Sequence, residues 1–285
     1  MPEWQTLPEA PTERTEVAAA AAGGRIYVAG GFVPPGRTVA TVEIYDPAAR
    51  RWSEGPELPV AVNHAMAATV EDRVYVLGGY RGERDLSAPS DRAFVLGDSG
   101  WEELPRMPEV RAAAGAAAIG GRIYVAGGVG AGGLATTTLV LDVAARQWST
   151  APGLPTPREH LGVATDGTRL YVVGGRPPNT SAAEAFDPAA GRWERLPPMP
   201  TARGGLAAAG TGNGLIVAAG GEAEETFPEV EAYDVRAGRW LRLPDLPTPR
   251  HGLGVVALGT TLYVVAGGPE PGFAFSGANE ALDLP

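Results

Sequence analysis

Arginine is the residue type whose placement most clearly suggests chemistry in this chain. Five arginines stand at comparable points, each opening a stretch rich in alanine, valine and glycine: Arg14, Arg111, Arg158, Arg203 and Arg250. Guanidinium groups bind carboxylates and phosphates through paired hydrogen bonds, so a converging set would suit an anionic ligand. In the alternative interpretation each arginine pairs with a nearby carboxylate, such as Glu13, Glu109 or Glu159, and serves the fold.

Histidine and glutamate also recur near these points. His64, His160 and His251 come shortly after them, and a three-histidine metal site is conceivable. His251 differs from the other two in strand phase and is expected to point elsewhere, so the prediction is no metal and no cofactor. A second group of glutamates recurs too regularly for one active site and is expected to join strands: Glu43, Glu184, Glu231 and Glu280. No catalytic-triad order or phosphate-binding glycine loop is present.

The elements that would position these residues form an internal repeat. RIYVAGG at 25–31 returns as RVYVLGG at 73–79, and double glycines follow at intervals of 46 to 49 residues. The six tryptophans have nearly the same spacing: Trp4, Trp52, Trp101, Trp148, Trp193 and Trp240. Because two independent markers share one period and one count, the chain is predicted to contain six equivalent units.

Each period contains four short strands, here called a to d, which is the pattern of a β-propeller blade. The predicted fold is therefore all-β, a six-bladed propeller forming a single domain over residues 1–285. The approximate blades are 10–57, 58–106, 107–153, 154–198, 199–245, and 246–285 with 3–8. The chain begins with a d-type strand and ends after a c-type strand. The N-terminal strand is therefore expected to close the last blade and remove two open sheet edges.

These motifs resemble those of the kelch-repeat family over essentially the whole chain. The resemblance rests on the double glycine, on the strand-c Tyr/Phe-Asp-Pro motif with its following Trp, and on LPxPR before strand a. In kelch domains that capture acidic peptides, the strand-opening arginine and an aromatic just after the double glycine line the pocket. The resemblance therefore implies that role for Arg158, Arg250, Tyr80 and Phe32. Serine after the arginine, common in those domains, is replaced here.

Up-and-down strands place the d–a and b–c connections on one face and the a–b and c–d turns on the other. The b–c loops are long and unlike one another, which is typical of a binding face. Five aromatics outside the repeat all lie in b–c loops: Phe32, Tyr80, Phe227, Phe273 and Phe275. They either seal the loops or form a contact surface. Arg81, Arg84 and Arg176 are expected outside the ring of strand-opening arginines.

Composition narrows the classes of function. The net charge of −10 disfavours nucleic acid and anionic membranes as partners. The absence of cysteine excludes a thiolate site and the Cys–Tyr cofactor of copper-radical oxidases. A cytoplasmic monomer without a signal peptide is expected. The leading prediction is a non-catalytic module that binds a protein segment or small anionic ligand at the channel mouth. The alternatives are a carbohydrate-active enzyme resembling a sialic-acid mutarotase, and a scaffold without a natural ligand.

Overall fold

The protein is a ring of six four-stranded antiparallel sheets, as the computed structural model shows for residues 2–83, 86 and 88–284. The predicted six-bladed propeller is confirmed. Blade one comprises β2 (Ala18–Ala22), β3 (Arg25–Ala29), β6 (Val42–Asp46) and β7 (Arg51–Glu54). Blade two comprises β8 (Met66–Val70), β9 (Arg73–Leu77), β10 (Ala93–Gly97) and β11 (Gly100–Glu103). Blade three comprises β12 (Gly115–Ile119), β13 (Arg122–Ala126), β16 (Thr137–Asp142) and β17 (Gln147–Pro152).

The remaining blades follow the same order from the channel outward. Blade four comprises β18 (Gly162–Thr165), β19 (Leu170–Val173), β20 (Ala183–Asp187) and β21 (Arg192–Arg195). Blade five comprises β22 (Ala207–Gly210), β23 (Leu215–Ala219), β24 (Val230–Asp234) and β25 (Arg239–Arg242). Blade six comprises β26 (Gly254–Leu258), β27 (Thr261–Val265), β28 (Asn279–Asp283) and β1 (Trp4–Thr6). Two short hairpins lie in b–c loops: β4 (Phe32–Val33) with β5 (Arg37–Thr38), and β14 (Val129–Gly130) with β15 (Gly133–Leu134).

The core lies between neighbouring blades rather than inside one of them. Strand a consists largely of alanine and glycine, because six strands crowd around the channel. Farther out, the strand-b and strand-c residues form apolar clusters with the next blade; Leu77 and Leu139, for example, belong to one buried cluster. The described residues contain no helix of the length and apolarity needed to cross a membrane.

The N-terminal strand closes the ring, as the repeat pattern predicts. Trp4 of β1 pairs with Leu282 of β28 in antiparallel register. In all six blades the strand-d tryptophan donates its indole N–H to a proline carbonyl of the preceding blade, at 2.7 to 3.0 Å. For Trp4 the acceptor is the carbonyl of Pro244, so this contact joins the N-terminal strand of blade six to blade five.

The double glycines allow close approach between blades. Gly78 has a φ of 60°, and a Cβ built on it would lie 2.1 Å from the carbonyl oxygen of Arg111 in the next blade. The following residue, Gly79, donates its N–H to that carbonyl. Blade six differs, because Ala266 stands at the first position with a φ of 55° and Gly267 donates to the carbonyl of Arg14. The equivalent pair is thus Ala266–Gly267, one residue earlier than the visible double glycine.

A closed ring of backbone contacts surrounds one end of the channel. In every blade, the residue two positions after the strand-opening site has a left-handed φ between 50° and 72°. These six residues are Glu16, His64, Ala113, His160, Gly205 and Gly252. From His64 to Gly252, each donates its N–H to the carbonyl of the preceding member, and the N–H of Val17 binds Gly252 to complete the circle. We call these six positions the inner ring.

Candidate functional site at the channel mouth

The five strand-opening arginines lie inside the blades, with exposed fractions of 0 or 1%. Arg158 is representative, because its guanidinium contacts Glu184 at 2.7 Å and donates to the carbonyls of Thr156 and Val172. Arg14, Arg203 and Arg250 pair with Glu43, Glu231 and Glu280 in the same way. Burial lowers the pKa of Arg14, Arg158 and Arg250, although their glutamate partners oppose the shift.

This arrangement corrects the expectation that Arg14, Arg111, Arg158, Arg203 and Arg250 face a ligand. Each guanidinium already binds a carboxylate and backbone carbonyls and has almost no surface open to solvent, so it cannot reach an anion at the mouth; the Nε donors of Arg14 and Arg111 lack a partner but are themselves buried. The strand-c glutamates have the structural role expected for them. The same burial argues against the pocket role that the kelch resemblance implies for Arg158 and Arg250.

Two blades depart from the pairing in informative ways. In blade two both members are replaced together: Val62 stands at the arginine position, and Phe94 stands at the strand-c glutamate position, since it pairs with Val76 as Glu43 pairs with Val28. Arg92 lies two residues before Phe94 and binds Glu103 at a partly exposed position. In blade three the strand-c residue is Leu139, and Arg111 takes its carboxylate from Glu109 in the d–a connection instead. The ion pair is therefore either kept, rebuilt from a neighbouring loop, or lost as a unit, and an unpaired buried charge is avoided.

The other predicted site residues separate into sealed and accessible ones. Phe32 and Tyr80 are each 2% exposed and pack edge-to-face on the His64 ring, so they seal the loops and present no open surface. Burial also raises the pKa of Tyr80 to about 12, with Glu159 acting in the same direction. Arg81 is exposed on the rim, and Arg176 has 29% of its side chain exposed at the mouth. Arg84 lies outside the described residues.

A group of titratable side chains, which we call the mouth cluster, occupies the channel entrance on the d–a and b–c face. Its members are Glu16, His64, Glu159, His160, Arg176, Glu222 and His251. Six equivalent backbone bridges, such as Glu159 with Arg176, join the residue after the strand-opening site to the residue after the glycine pair. These bridges bring the start of strand a and the start of the b–c loop to the same mouth.

Glu16 is the centre of the mouth cluster. One carboxylate oxygen lies 3.1 Å from His64 Nε2, and the other lies 3.2 Å from His251 Nδ1. As its different strand phase predicts, His251 does not bring a nitrogen into the small space shared by Glu16, His64 and His160. Its Nδ1 nevertheless contacts Glu16, which therefore binds histidine rings from two other blades.

The other half of the cluster is a chain of alternating charges. His160 Nδ1 lies 2.6 Å from a carboxylate oxygen of Glu159, and the other oxygen lies 3.4 Å from Arg176 Nε. Arg176 Nη1 donates to Glu222 at 2.7 Å, and Glu222 also accepts the backbone N–H of Gly272 in the blade-six loop. The T-shaped contact between the His64 and His160 rings, 4.8 Å between centroids, joins the two halves.

Burial and neighbouring charges perturb several pKa values at the mouth. Desolvation lowers the pKa of His64 to about 4, against the pull of Glu16. For Glu16 burial acts to raise the pKa, but the surrounding histidines outweigh it and hold the pKa well below its usual range. For His251 desolvation is the largest single influence and acts to lower the pKa, but the hydrogen bond and the charge of Glu16, together with the charge of Glu222, outweigh it and raise the pKa.

Beneath the cluster the channel opens into a small cavity of about 140 Å³. Glu16, His64 and His160 border it, and the rest of the wall comes from the small residues of strand a. A further space of about 220 Å³ continues toward the opposite face and is lined almost entirely by alanine, valine and threonine. Polar chemistry within the described channel is therefore confined to one end.

Sequence reasoning missed Glu16, and it named Glu159 only as a possible partner of a strand-opening arginine. A signal was present: the inner-ring position is Ala or Gly in three blades, but Glu or His in the other three. Aligning the six repeats at that position would have marked Glu16, His64 and His160 as unusual. The signal was weak, because nothing in the sequence shows that these positions face one another.

Comparison with known protein families agrees with the observed repeats. A family profile described as "Kelch motif" matches residues 13–59, 111–155, 157–200 and 203–247, more than half of the chain. These matches cover blades one, three, four and five. No curated protein matches the chain. The repeat matches, the glycine pairs at the blade contacts and the six-bladed ring together show that this chain belongs to the kelch-repeat family.

Proposed function

We propose that this propeller is a non-catalytic binding module that captures a basic protein segment on the b–c loop face, beside the channel mouth. The observation that carries the proposal is an acidic and aromatic patch on the b–c loops of blades five and six. Glu224 and Glu225 are exposed there, and Phe273, with 49% of its surface exposed, lies on the neighbouring loop. We call these three residues the rim patch.

The rim patch is held by contacts between the two loops. Thr226 donates its hydroxyl to the carbonyl of Pro269 at 2.9 Å, and Gly272 donates its N–H to Glu222 at 3.0 Å. Phe273 packs edge-to-face on Phe32, with 5.3 Å between ring centroids. An aromatic ring supported in this way can accept an apolar or cationic side chain without a large loss of entropy.

Charge favours a basic partner over the anionic ligand expected from the sequence. That expectation depended on five guanidinium groups, all of which are buried in ion pairs. The mouth cluster instead contains three carboxylates and one guanidinium, and Glu224 and Glu225 add two further acidic groups nearby. A protein of net charge −10 also attracts basic partners at long range.

The size of the cavity argues against the carbohydrate-active alternative. At about 140 Å³, the space under the mouth cluster is less than half the volume of typical small-molecule pockets, which begin near 300 Å³. The space of about 220 Å³ that continues from it is lined almost entirely by alanine, valine and threonine and offers a sugar no acid or base group. An extended segment lying across the loop face requires no such cavity.

The test is selection from a displayed random-peptide library against the purified protein, followed by affinity measurements on the best peptide. We expect enrichment of Lys and Arg, and about fivefold weaker binding for Phe273→Ala and for Glu224→Gln with Glu225→Gln, about 1 kcal/mol each. The matched control is Glu71→Gln with Asp72→Asn, an exposed acidic pair in an a–b turn on the opposite face. Selection of acidic peptides, or weakening by the control pair alone, would reject the proposal.

A further inference from the structure

The mouth cluster contains two imidazole nitrogens whose lone pairs face the same small space as a carboxylate. Glu16, His64 and His160 each bring one oxygen or nitrogen to within 4.8 Å of the other two. Neutral imidazole and carboxylate are the ligand types of zinc sites with two histidines and one acid. The hydrogen bonds around each ring determine which nitrogen is available.

The orientation of His64 follows from Asn63. The Asn63 amide donates to Thr38 Oγ1 at 2.9 Å and to the carbonyl of Gly82 at 3.3 Å, so its nitrogen is on that side. Its oxygen therefore faces His64 Nδ1, 2.6 Å away, and Nδ1 must carry the hydrogen. In the neutral ring, Nε2 then directs its lone pair at a Glu16 oxygen 3.1 Å away. Two acceptors at this distance require a cation or a shared proton between them.

His160 is oriented in the same way by a carboxylate. Its Nδ1 donates to Glu159, and Arg176 holds Glu159 from the other side. The His160 side chain is almost fully buried, with 8% exposed, and its Nε2 has no hydrogen-bond partner within the described protein. A carboxylate that fixes one histidine nitrogen while the other binds metal is the usual outer shell of such sites.

His251 is excluded as a ligand but supports the arrangement. Its Nδ1 lies against Glu16, and its Nε2 faces the backbone of Gly268, where a Cβ would lie only 2.7 Å away. His251 is therefore a positioning residue, which holds the second oxygen of Glu16 and leaves the first for an ion.

We propose that Glu16, His64 and His160 form a binding site for one divalent transition-metal ion, of which zinc is the reference, at the channel mouth. In a tetrahedral site with bonds of about 2.0 to 2.1 Å the ligand atoms are roughly 3.3 Å apart. The Glu16 oxygen and His64 Nε2, 3.1 Å apart, already have about this spacing, so the movement needed on binding is mainly an approach of His160. The fourth position faces the cavity of about 140 Å³ and is left to solvent or a ligand atom. This inference reverses the sequence-based prediction of no metal, and it does not depend on the proposed peptide binding.

The experiment uses the full chain, free of any tag, stripped with chelator and dialysed against Zn²⁺ without peptide. We expect one equivalent of zinc, and with Co²⁺ the visible bands of a four- or five-coordinate ion. The chain has three histidines and no cysteine, so a nitrogen-rich site elsewhere is not available. Glu16→Gln, His64→Ala and His160→Ala should each weaken zinc binding by more than about 100-fold, and Glu159→Gln and His251→Ala by about 10- to 100-fold.

The matched control is Glu13→Gln, which changes an exposed glutamate three residues before Glu16 and should leave zinc binding unchanged. Circular dichroism and the thermal midpoint identify any variant that has lost its fold, and the conservative Glu16→Gln keeps side-chain length at the inner ring. Absence of stoichiometric zinc, or zinc retained by both Glu16→Gln and His160→Ala, would overturn the proposal. Zinc lost equally with Glu13→Gln would also overturn it, because surface carboxylates would then be the ligands.

Discussion

Replacement of a single buried arginine is expected to destabilise the propeller strongly. In Arg158→Met the Glu184 carboxylate, 1% exposed, would keep only the hydroxyl of Thr156 at 2.8 Å as a partner. The carbonyls of Val172 and Ala182 would also lose the donors that now satisfy them. Removing one partner of a buried ion pair typically costs about 3 to 5 kcal/mol. This is a large part of the 5 to 15 kcal/mol by which a domain is usually stable.

The assay is equilibrium denaturation by urea, with the free energy of unfolding taken from the midpoint and slope. The double variant Arg158→Met with Glu184→Leu should be more stable than the single variant, because no unpaired charge remains. Blade two already contains this solution, since it has neither member of the pair. Arg146→Ala, which breaks an exposed ion pair on the opposite face, is the control and should cost less than about 1 kcal/mol.

Two outcomes would refute this reasoning. If Arg158→Met unfolds within about 1 kcal/mol of the parent, the arginine is not a structural element and its buried contacts contribute little. If the double variant is less stable than the single one, the cost comes from the lost carbonyl contacts or from packing, and the unpaired charge of Glu184 is not the cause. Only the first result would reopen a ligand-binding role for the strand-opening arginines.

Two further changes test the contacts between blades. Trp4→Ala should lower the free energy of unfolding by about 3 kcal/mol. Deletion of residues 2–8 should lower it by more, because the edge of β28 would open. Equal thermal midpoints for the deleted and full chains would contradict closure by β1. Gly78→Ala should lower the free energy of unfolding by about 2 to 5 kcal/mol, since the new Cβ would lie 2.1 Å from the Arg111 carbonyl oxygen. Gly120 has a similar left-handed φ of 54° but open space around it, so Gly120→Ala should lower the free energy of unfolding by only about 1 to 2 kcal/mol. Equal losses in these two variants, measured by urea denaturation, would show that φ alone matters there.

The amino-acid sequence by itself determined the architecture, because each marker of the repeat has a local physical cause. Gly78 must be glycine where one blade meets the next, and Trp52 must span the widening gap toward the preceding blade. The tryptophan recurs in all six blades and the first glycine in five, with Ala266 in its place in blade six, so the period can be read directly. The position of β1 followed from counting strand types, since a ring leaves no other way to complete blade six.

The tertiary structure decided which side chains face solvent and which face one another. Arg158 and Glu184 are 26 residues apart and on different strands, so the sequence could not show that this carboxylate, rather than Glu159, takes the guanidinium. Glu16 and His251 are separated by 235 residues and meet only because the ring closes. A repeat pattern specifies the residues that all blades share. The chemistry of the channel mouth depends instead on how the six blades differ at one position. Side chains from different blades interact there only because the closed channel brings them together.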